Sequence, residues 1–178
     1  MAKVIPERFA IVAIDPGTTT GAAAGLFRAA ADIKTCLATG DWEAWEVEGS
    51  PAEQAWQILE EFRDRQSDWN IRGVSLEHIY LCCESFQLRI SKAHGAASDK
   101  RMLDSIRVIS AMEALCLYQA HKPGEWVQPW IRIEFRPPSS AKKYVTNERL
   151  RRWGGWVVGS EHKRDAMRHL ISKVSDLL

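Results

Sequence analysis

Two acidic residues directly follow apolar segments that are typical of buried β-strands. Asp15 comes after residues 9–14, and Glu84 comes after residues 79–83. If the two strands are parallel, both side chains emerge at the same edge of the sheet, where open α/β folds bind their ligands. Carboxylates that lie this close repel each other unless one is protonated or a divalent cation lies between them. The pair therefore predicts a site for Mg²⁺ or Mn²⁺, which prefer oxygen ligands.

The turn after Asp15 has a composition that suits phosphate or metal binding. Residues 16–21 read Pro-Gly-Thr-Thr-Thr-Gly. Gly17 and Gly21 permit a tight turn and a close approach of the backbone, and the threonines offer hydroxyl groups to phosphate or water. An acid at a strand end is by itself often a turn residue or a helix cap. The composition of this turn favours a functional role for Asp15.

A third acidic motif lies at the start of the predicted last helix, near residue 160. His162, Asp165 and His169 are spaced to share one helix face. The apolar stripe of this helix consists of Met167, Leu170, Ile171 and Val174. Asp165 lies nearly opposite the stripe, so the pattern alone predicts a solvated acid near a helix N-terminus. A functional role requires the first helical turn to reach over the strand ends.

The elements that position these acids follow the order β-β-β-α-β-α-β-α. Periodicity predicts strands over residues 9–14, 22–27, 35–47, 78–83 and 130–135. The third segment is interpreted as one strand or a strand pair around Trp42 and Trp45. Helices are predicted from a capping box at Ser50 and Glu53, over residues 102–120, and from residue 160 onward. An antiparallel meander followed by two right-handed crossovers predicts an α/β fold with a mixed five-stranded sheet flanked by helices.

Composition indicates a single domain covering residues 1–178. The chain is 46% hydrophobic, and its apolar runs are too short to span a bilayer. Because the start of the chain has no signal-peptide apolar block, we expect no membrane association and a cytoplasmic location. The four cysteines form no C-x-x-C pair, which favours buried free thiols over zinc ligation or disulfides.

Positive charge is clustered although the formal net charge is only +1. A basic group opposed by Glu148 consists of Arg136, Lys142, Lys143, Arg149, Arg151 and Arg152. Such a cluster is either a solvated helix face or a contact surface for a polyanion. The polar stretches 89–101 and 139–155 are predicted to be mobile or to bind ligands.

The three motifs resemble those of RuvC-type Holliday-junction resolvases of the ribonuclease H-like superfamily, including divergent phage members. The resemblance rests on residues 14–21, on residues 83–86, which read Cys-Glu-Ser-Phe, and on residues 162–166, which read His-Lys-Arg-Asp-Ala. It implies that Asp15, Glu84 and Asp165 bind two Mg²⁺ or Mn²⁺ ions. His162 stands where many members have a fourth acid, so it is a candidate ligand or proton-transfer group.

The resemblance also implies a DNA substrate and an assembly. It implies a crossover junction endodeoxyribonuclease that acts on four-way junctions and forks as a homodimer, in a host cytoplasm if the chain is phage-encoded. The expected DNA contacts are Phe86, Arg89, Lys92, Lys142, Lys143 and Arg149. Phe86 resembles the aromatic residue thought to stack on bases, although it lies one residue early. Thr146 and Asn147 would begin the next helix.

Three other functions remain compatible with the same residues. Actin-like phosphotransferases also begin with a strand and Asp-x-Gly-Thr-Thr, although they need two such domains. A catalytically weak or inactive nucleic-acid-binding module could keep the fold, and His162 in place of an acid leaves that alternative open. Hydrolysis of RNA in hybrids would use the same carboxylates.

Overall fold

The computed structural model describes residues 6–75, 78–85, 96–120 and 133–178, with side chains for all of these except 96–102, 116–120 and 138–139. Its central feature is a five-stranded sheet. The strands are β1 (Arg8–Asp15), β2 (Thr20–Arg28), β3 (Asp41–Val47), β4 (Ile79–Glu84) and β5 (Ile133–Arg136). Their order in the sheet is β3-β2-β1-β4-β5.

The sheet is mixed, as predicted. β2 is antiparallel to both β1 and β3, and it forms the meander. β4 is parallel to both β1 and β5, as the two crossovers require. The predicted α/β fold, a mixed five-stranded sheet flanked by helices, is therefore confirmed. No helix among the described residues is long and apolar enough to cross a bilayer.

Within the described ranges, six helices accompany the sheet. They are α1 (Ile33–Thr39), α2 (Pro51–Ile71), α3 (Ala96–Ala120), α4 (Pro138–Tyr144), α5 (Asn147–Arg152) and α6 (Glu161–Leu177). The predicted capping box begins α2, because the Ser50 hydroxyl accepts from the backbone N–H of Glu53, whose carboxylate accepts from that of Ser50. Thr146 caps α5 by accepting from the Arg149 N–H, as the sequence predicted.

β1 separates two apolar cores because its side chains alternate between the faces of the sheet. Residues 9, 11 and 13 pack with α1, α5 and α6, whereas residues 10, 12 and 14 pack with α2 and α3. Burial on both faces explains why β1 is an almost continuous apolar run. The central strand thereby places Asp15, its last residue, at the edge formed by the carboxyl ends of β1 and β4.

Three expectations about element boundaries need correction. Residues 35–47 are not all strand, because Asp32 accepts a hydrogen bond from the Thr35 N–H and caps α1 ahead of β3. α3 begins at Ala96, within the polar stretch 89–101, rather than at Met102. The polar stretch 139–155 contains most of α4 and all of α5. For the fifth strand, residues 130–132 lie outside the described ranges.

The cysteines that are described with side chains are buried and free, as expected: Cys36, Cys82 and Cys83. Burial raises the pKa of Cys36 and of Cys82 to about 11, and it raises that of Cys83 further. Thiols with such raised pKa values are poor nucleophiles and poor metal ligands at neutral pH. They therefore act as small apolar side chains in the core.

Candidate metal centre

Asp15 and Glu84 lie side by side at one edge of the sheet. β1 and β4 are parallel and pair Ile14 with Cys83, so the next residue of each strand is an acid. Burial raises the pKa of Asp15 to about 6, a hydrogen bond with His162 opposes the rise, and the Glu84 carboxyl adds to it. Burial also raises the pKa of Glu84, but hydrogen bonds with His169 and Asp15 bring it below its usual value. The two carboxyl groups therefore share a proton below about pH 6.

His169, from α6, completes a cluster with these two acids. Its Nε2 lies 2.9 Å from Glu84 Oε2, and its side chain is fully buried. Asp15, Glu84 and His169 each offer a ligand atom, and these atoms all lie within 4.8 Å of one another. The Nδ1 atom of His169 is buried without a hydrogen-bond partner in the described structure. The ring is therefore held by packing and by Glu84.

His162 approaches the same cluster from the solvent side. Its Nδ1 lies 2.9 Å from Asp15 Oδ2, and 44% of its side chain is exposed. Its hydrogen bond with Asp15 raises the pKa of His162. Gly21 makes this approach possible, because a Cβ atom there would overlap with the His162 carbonyl group. The second glycine of the turn therefore admits the first turn of α6 to the strand ends.

Asp165 is buried, and the expectation of a solvated side chain is wrong. The residue is 3% exposed because α4 packs on the outer side of α6 and Arg168 ties α6 to the residues that follow α4. Its carboxylate accepts from Arg168, and its Oδ2 lies 2.6 Å from Lys142 Nζ. Arg168 also donates from Nε to the Val145 carbonyl at 3.1 Å, which ties α6 to the segment between α4 and α5. Two cations thus neutralise the third acid, whose charge still contributes to the raised pKa of Asp15.

The turn after Asp15 is braced by helices on the opposite face of the sheet. Gln54 is 1% exposed, its Nε2 donates to the Thr18 carbonyl at 2.8 Å, and its Oε1 accepts from the Thr20 hydroxyl. From α3, the Ser105 hydroxyl donates to the Pro16 carbonyl at 2.8 Å. The Thr20 hydroxyl is therefore used internally rather than offered to a ligand.

The predicted DNA contacts fall into two groups. Phe86, Arg89 and Lys92 lie outside the described residues. Lys142 and Lys143 lie on α4 and are exposed. Lys142 is about half exposed beside the cluster; burial lowers its pKa, but Asp165, Glu84 and Asp15 outweigh that effect and raise it. Arg149 lies on α5, with its guanidinium 5.3 Å from the centre of the Tyr144 ring.

Sequence reasoning assigned no role to His169, although a signal was present. The residue follows His162 by seven positions and Asp165 by four, which places all three on one helix face. The spacing did not distinguish a ligand from a polar surface residue, because that distinction depends on which side of α6 faces the strand ends. Gln54 and Ser105 had no sequence signal of a site.

Two solved structures of RuvC from Thermus thermophilus resemble the chain over almost their whole length. One, in complex with a Holliday junction substrate, is 12% identical with a TM-score of 0.51 and covers 92% of this chain and 91% of its own. The other is 14% identical with the same TM-score and covers 92% of each chain. No protein-family model and no curated protein matches the chain. At this identity the likeness establishes a RuvC-like, ribonuclease H-like fold.

The residues of the cluster suit a divalent cation. Two carboxylates and one imidazole nitrogen converge within 4.8 Å. The proton shared by Asp15 and Glu84 reduces the repulsion between the two carboxylates, and a bound cation would do the same. Carboxylates suit Mg²⁺ and Mn²⁺, whereas an imidazole ligand favours transition metals. This donor set therefore fits Mn²⁺ better than Mg²⁺.

Proposed function

We propose that the chain is a metal-dependent endonuclease that cleaves four-way junctions and other branched DNA. The observation that carries the proposal is the convergence of Asp15, Glu84 and His169 at the strand ends of a RuvC-like fold. Asp165 and His162 adjoin that cluster and match the third acidic motif. A RuvC structure in complex with a Holliday junction supports the choice of substrate class. The proposal includes action as a homodimer in the cytoplasm.

The division of labour among the side chains follows from their positions. Asp15, Glu84 and His169 would hold one ion, with Asp165 available to a second when Lys142 and Arg168 release it. Bound divalent ions would activate water for in-line attack on the phosphodiester and stabilise the leaving oxygen, giving a 5′-phosphate and a 3′-hydroxyl. Lys142 and Lys143 would position the DNA backbone, and His162 would orient Asp15 or move a proton at the solvent side.

A cleavage assay on four-way, forked and linear DNA, with and without Mn²⁺ or Mg²⁺, tests class and substrate together. We expect metal-dependent cleavage of branched DNA and little cleavage of linear duplex. Asp15→Asn, Glu84→Gln and Asp165→Asn should each reduce cleavage by roughly 10³-fold while binding persists. A variant with full activity would remove that residue from the mechanism, and equal cleavage of all substrates would contradict structure selectivity.

A catalytically inactive DNA-binding module is the second candidate, and one observation favours it. Asp165 is already paired with Lys142 and Arg168, so its charge is less available to a metal than that of Asp15. Junction binding by both wild type and Asp15→Asn, without cleavage by wild type in either metal, would support this alternative. A hybrid RNA–DNA duplex in the same assay separates a ribonuclease H activity from junction cleavage.

A further inference from the structure

An arginine–aromatic surface lies beside the candidate metal centre, and the proposed chemistry does not use most of it. We define the surface by Tyr144, Arg149, Arg151, Arg152, Trp153, Trp156 and Arg164. It belongs to a segment with strongly positive charge, because residues 138–164 contain seven lysines and arginines and two glutamates. Arg164 immediately precedes the buried Asp165 on α6, so the surface adjoins the candidate metal centre.

Each tryptophan of the surface has two arginines against it. The guanidinium carbon of Arg151 lies 3.8 Å from the centre of the Trp156 ring, and that of Arg164 lies 5.1 Å from the same ring. Around the Trp153 ring, the corresponding distances are 5.8 Å for Arg149 and 6.0 Å for Arg152. Both rings pack against the core beneath α6. The rings therefore restrain the guanidinium groups in place, at a cost in side-chain entropy that is already met before any ligand arrives.

These arginines differ from those on the far side of the molecule in what neutralises them. Arg63, Arg65 and Arg72, on or just after α2, each form ion pairs with carboxylates. In the part of the chain that the structure describes, no carboxylate lies within 4.0 Å of the guanidinium nitrogens of the arginines in this surface. Arg149 and Arg164 instead donate to the carbonyls of Tyr144 and Gly159, each at 2.5 Å. Their positive charge is thus left for an external anion.

We propose that the arginine–aromatic surface is a second DNA-contact surface, which holds an arm of the branched substrate by its phosphates. A restrained guanidinium presents N–H donors in the planar fork that matches a phosphate, and its open face can stack on an unpaired base. The identity of the partner rests on the proposed function, because the neighbouring carboxylates would act on a phosphodiester. The arginines stacked on Trp153 and Trp156 would set the direction of the bound DNA arm relative to the candidate metal centre.

Binding measured without cleavage tests this inference. The probe is a fluorescein-labelled synthetic four-way junction in EDTA, titrated at several salt concentrations. In the double variant Arg151→Gln with Arg164→Gln, we expect affinity to fall about tenfold and the slope of log K against log salt to decrease by about 2. The matched control, Arg63→Gln with Arg65→Gln, should change neither. Unchanged affinity and slope in the Arg151 and Arg164 variant would overturn the inference.

Two further variants separate charge from stacking. Trp156→Ala leaves every charge in place but frees both arginines, so we expect several-fold weaker binding, whereas Trp156→Phe should bind almost as wild type does. Arg152→Glu reverses one exposed charge with little demand on packing, and it should weaken binding of the junction. This variant tests the inference even where the larger substitutions perturb folding. Equal binding by all of these variants would contradict the inference.

The outcomes distinguish this inference from the nuclease proposal. If wild type cuts no substrate in Mn²⁺ or Mg²⁺ but its junction binding still depends on Arg151 and Arg164, the nuclease proposal fails and the DNA-contact surface stands. If wild type cuts junctions and the double variant binds and cuts them equally well, the surface fails and the nuclease stands. Tighter binding to phosphatidylserine vesicles than to the junction, lost in the same double variant, would overturn it in favour of a membrane.

Discussion

Helix α6 presents two histidine–carboxylate pairs to the same sheet edge, and they differ in exposure to water. His162 and Asp15 meet at 2.9 Å where the imidazole is 44% exposed. His169 and Glu84 meet at the same distance where the imidazole is completely buried. The two histidines are seven residues apart, which is two helical turns. One regular helix therefore places a histidine against the last residue of β1 and another against the last residue of β4.

The difference separates two kinds of role. The buried imidazole keeps Nδ1 without a partner among the described residues, which costs desolvation energy, and turns Nε2 toward Glu84, where it is placed to coordinate a metal. A half-exposed imidazole loses less hydration and can exchange protons with solvent, which suits proton transfer or the orientation of Asp15. We therefore expect the inner pair, His169 with Glu84, to control metal affinity. We expect the outer pair, His162 with Asp15, to adjust the rate of cleavage. The four predictions that follow test this division, from the largest expected effect to the smallest.

Replacing the inner histidine should have the largest effect. His169→Leu keeps much of the volume and removes the ligand nitrogen, so cleavage should fall by about 10²- to 10³-fold. Stability without metal should change little, because the lost hydrogen bond to Glu84 opposes the gain from removing a buried nitrogen without a partner. Mn²⁺ at about 100 times its dissociation constant should stabilise wild type by about 2.7 kcal/mol and the variant hardly at all. Cleavage assays and thermal unfolding measure both effects.

Ser172→Ala is the matched control, since Ser172 is a buried polar residue of the same helix whose hydroxyl accepts from Arg136 and which offers no atom to the cluster. It should keep both cleavage and the response to Mn²⁺. Wild-type cleavage by His169→Leu, with the full Mn²⁺ response, would show that Asp15 and Glu84 suffice and that the inner pair is structural.

Moving the start of α6 should disturb the outer pair first. In Gly21→Ala the added Cβ overlaps with the His162 carbonyl group, so the first turn of α6 must shift. We expect a loss of about 1–3 kcal/mol in the free energy of unfolding and a decrease in cleavage of roughly 10²-fold. Urea unfolding and single-turnover cleavage measure the two effects.

Gly25→Ala is the control for crowding on the same strand. Its Cβ would collide with the Phe27 ring, away from the metal centre. It should destabilise the protein while each folded molecule cleaves normally. Equal losses of cleavage in both variants would mean that strain anywhere in β2, rather than displacement of His162, reduces activity.

The shared proton between the two acids predicts an unusual dependence of stability on pH. The folded-state pKa of Asp15 is about 6, above its usual 3.8, so between these values the folded protein binds more protons than the unfolded chain. Metal-free stability should therefore decrease as pH rises through that window. Asp15→Asn removes the effect, and it should be more stable than wild type by about 1–3 kcal/mol at pH 7.5 in EDTA.

That advantage should vanish at pH 4, where Asp15 is protonated in the folded protein, and urea unfolding at the two pH values measures it. Glu84→Gln is the control, because the pKa of Glu84 is lowered below its usual 4.5 and its ionised form therefore stabilises the fold at neutral pH. It should be less stable than wild type at pH 7.5. Parallel pH profiles for wild type and Asp15→Asn would contradict a shared proton.

Most of this arrangement could be predicted from local sequence, and the rest depended on packing between distant elements. Asp15 and Glu84 were predictable as neighbours because apolar strands and crossover connections constrain their register. The burial of Asp165 was not, because it requires α4 to cover the outer face of α6, which no periodicity within α6 encodes. The inner histidine was missed for the same reason. α1 was missed because the neighbouring tryptophans favoured a strand over the Asp32 cap.

Replacing the outer histidine should have the smallest effect and sharpens the comparison most directly. His162→Ala removes a half-exposed side chain, so stability should change by less than about 0.5 kcal/mol. Cleavage at neutral pH should fall by about tenfold, because Asp15 loses its hydrogen-bond partner, while stabilisation by Mn²⁺ persists. Cleavage rates across a pH series and unfolding with and without Mn²⁺ measure these effects. If His162→Ala loses the Mn²⁺ response as completely as His169→Leu, both histidines serve the metal, and their difference in exposure has no functional meaning.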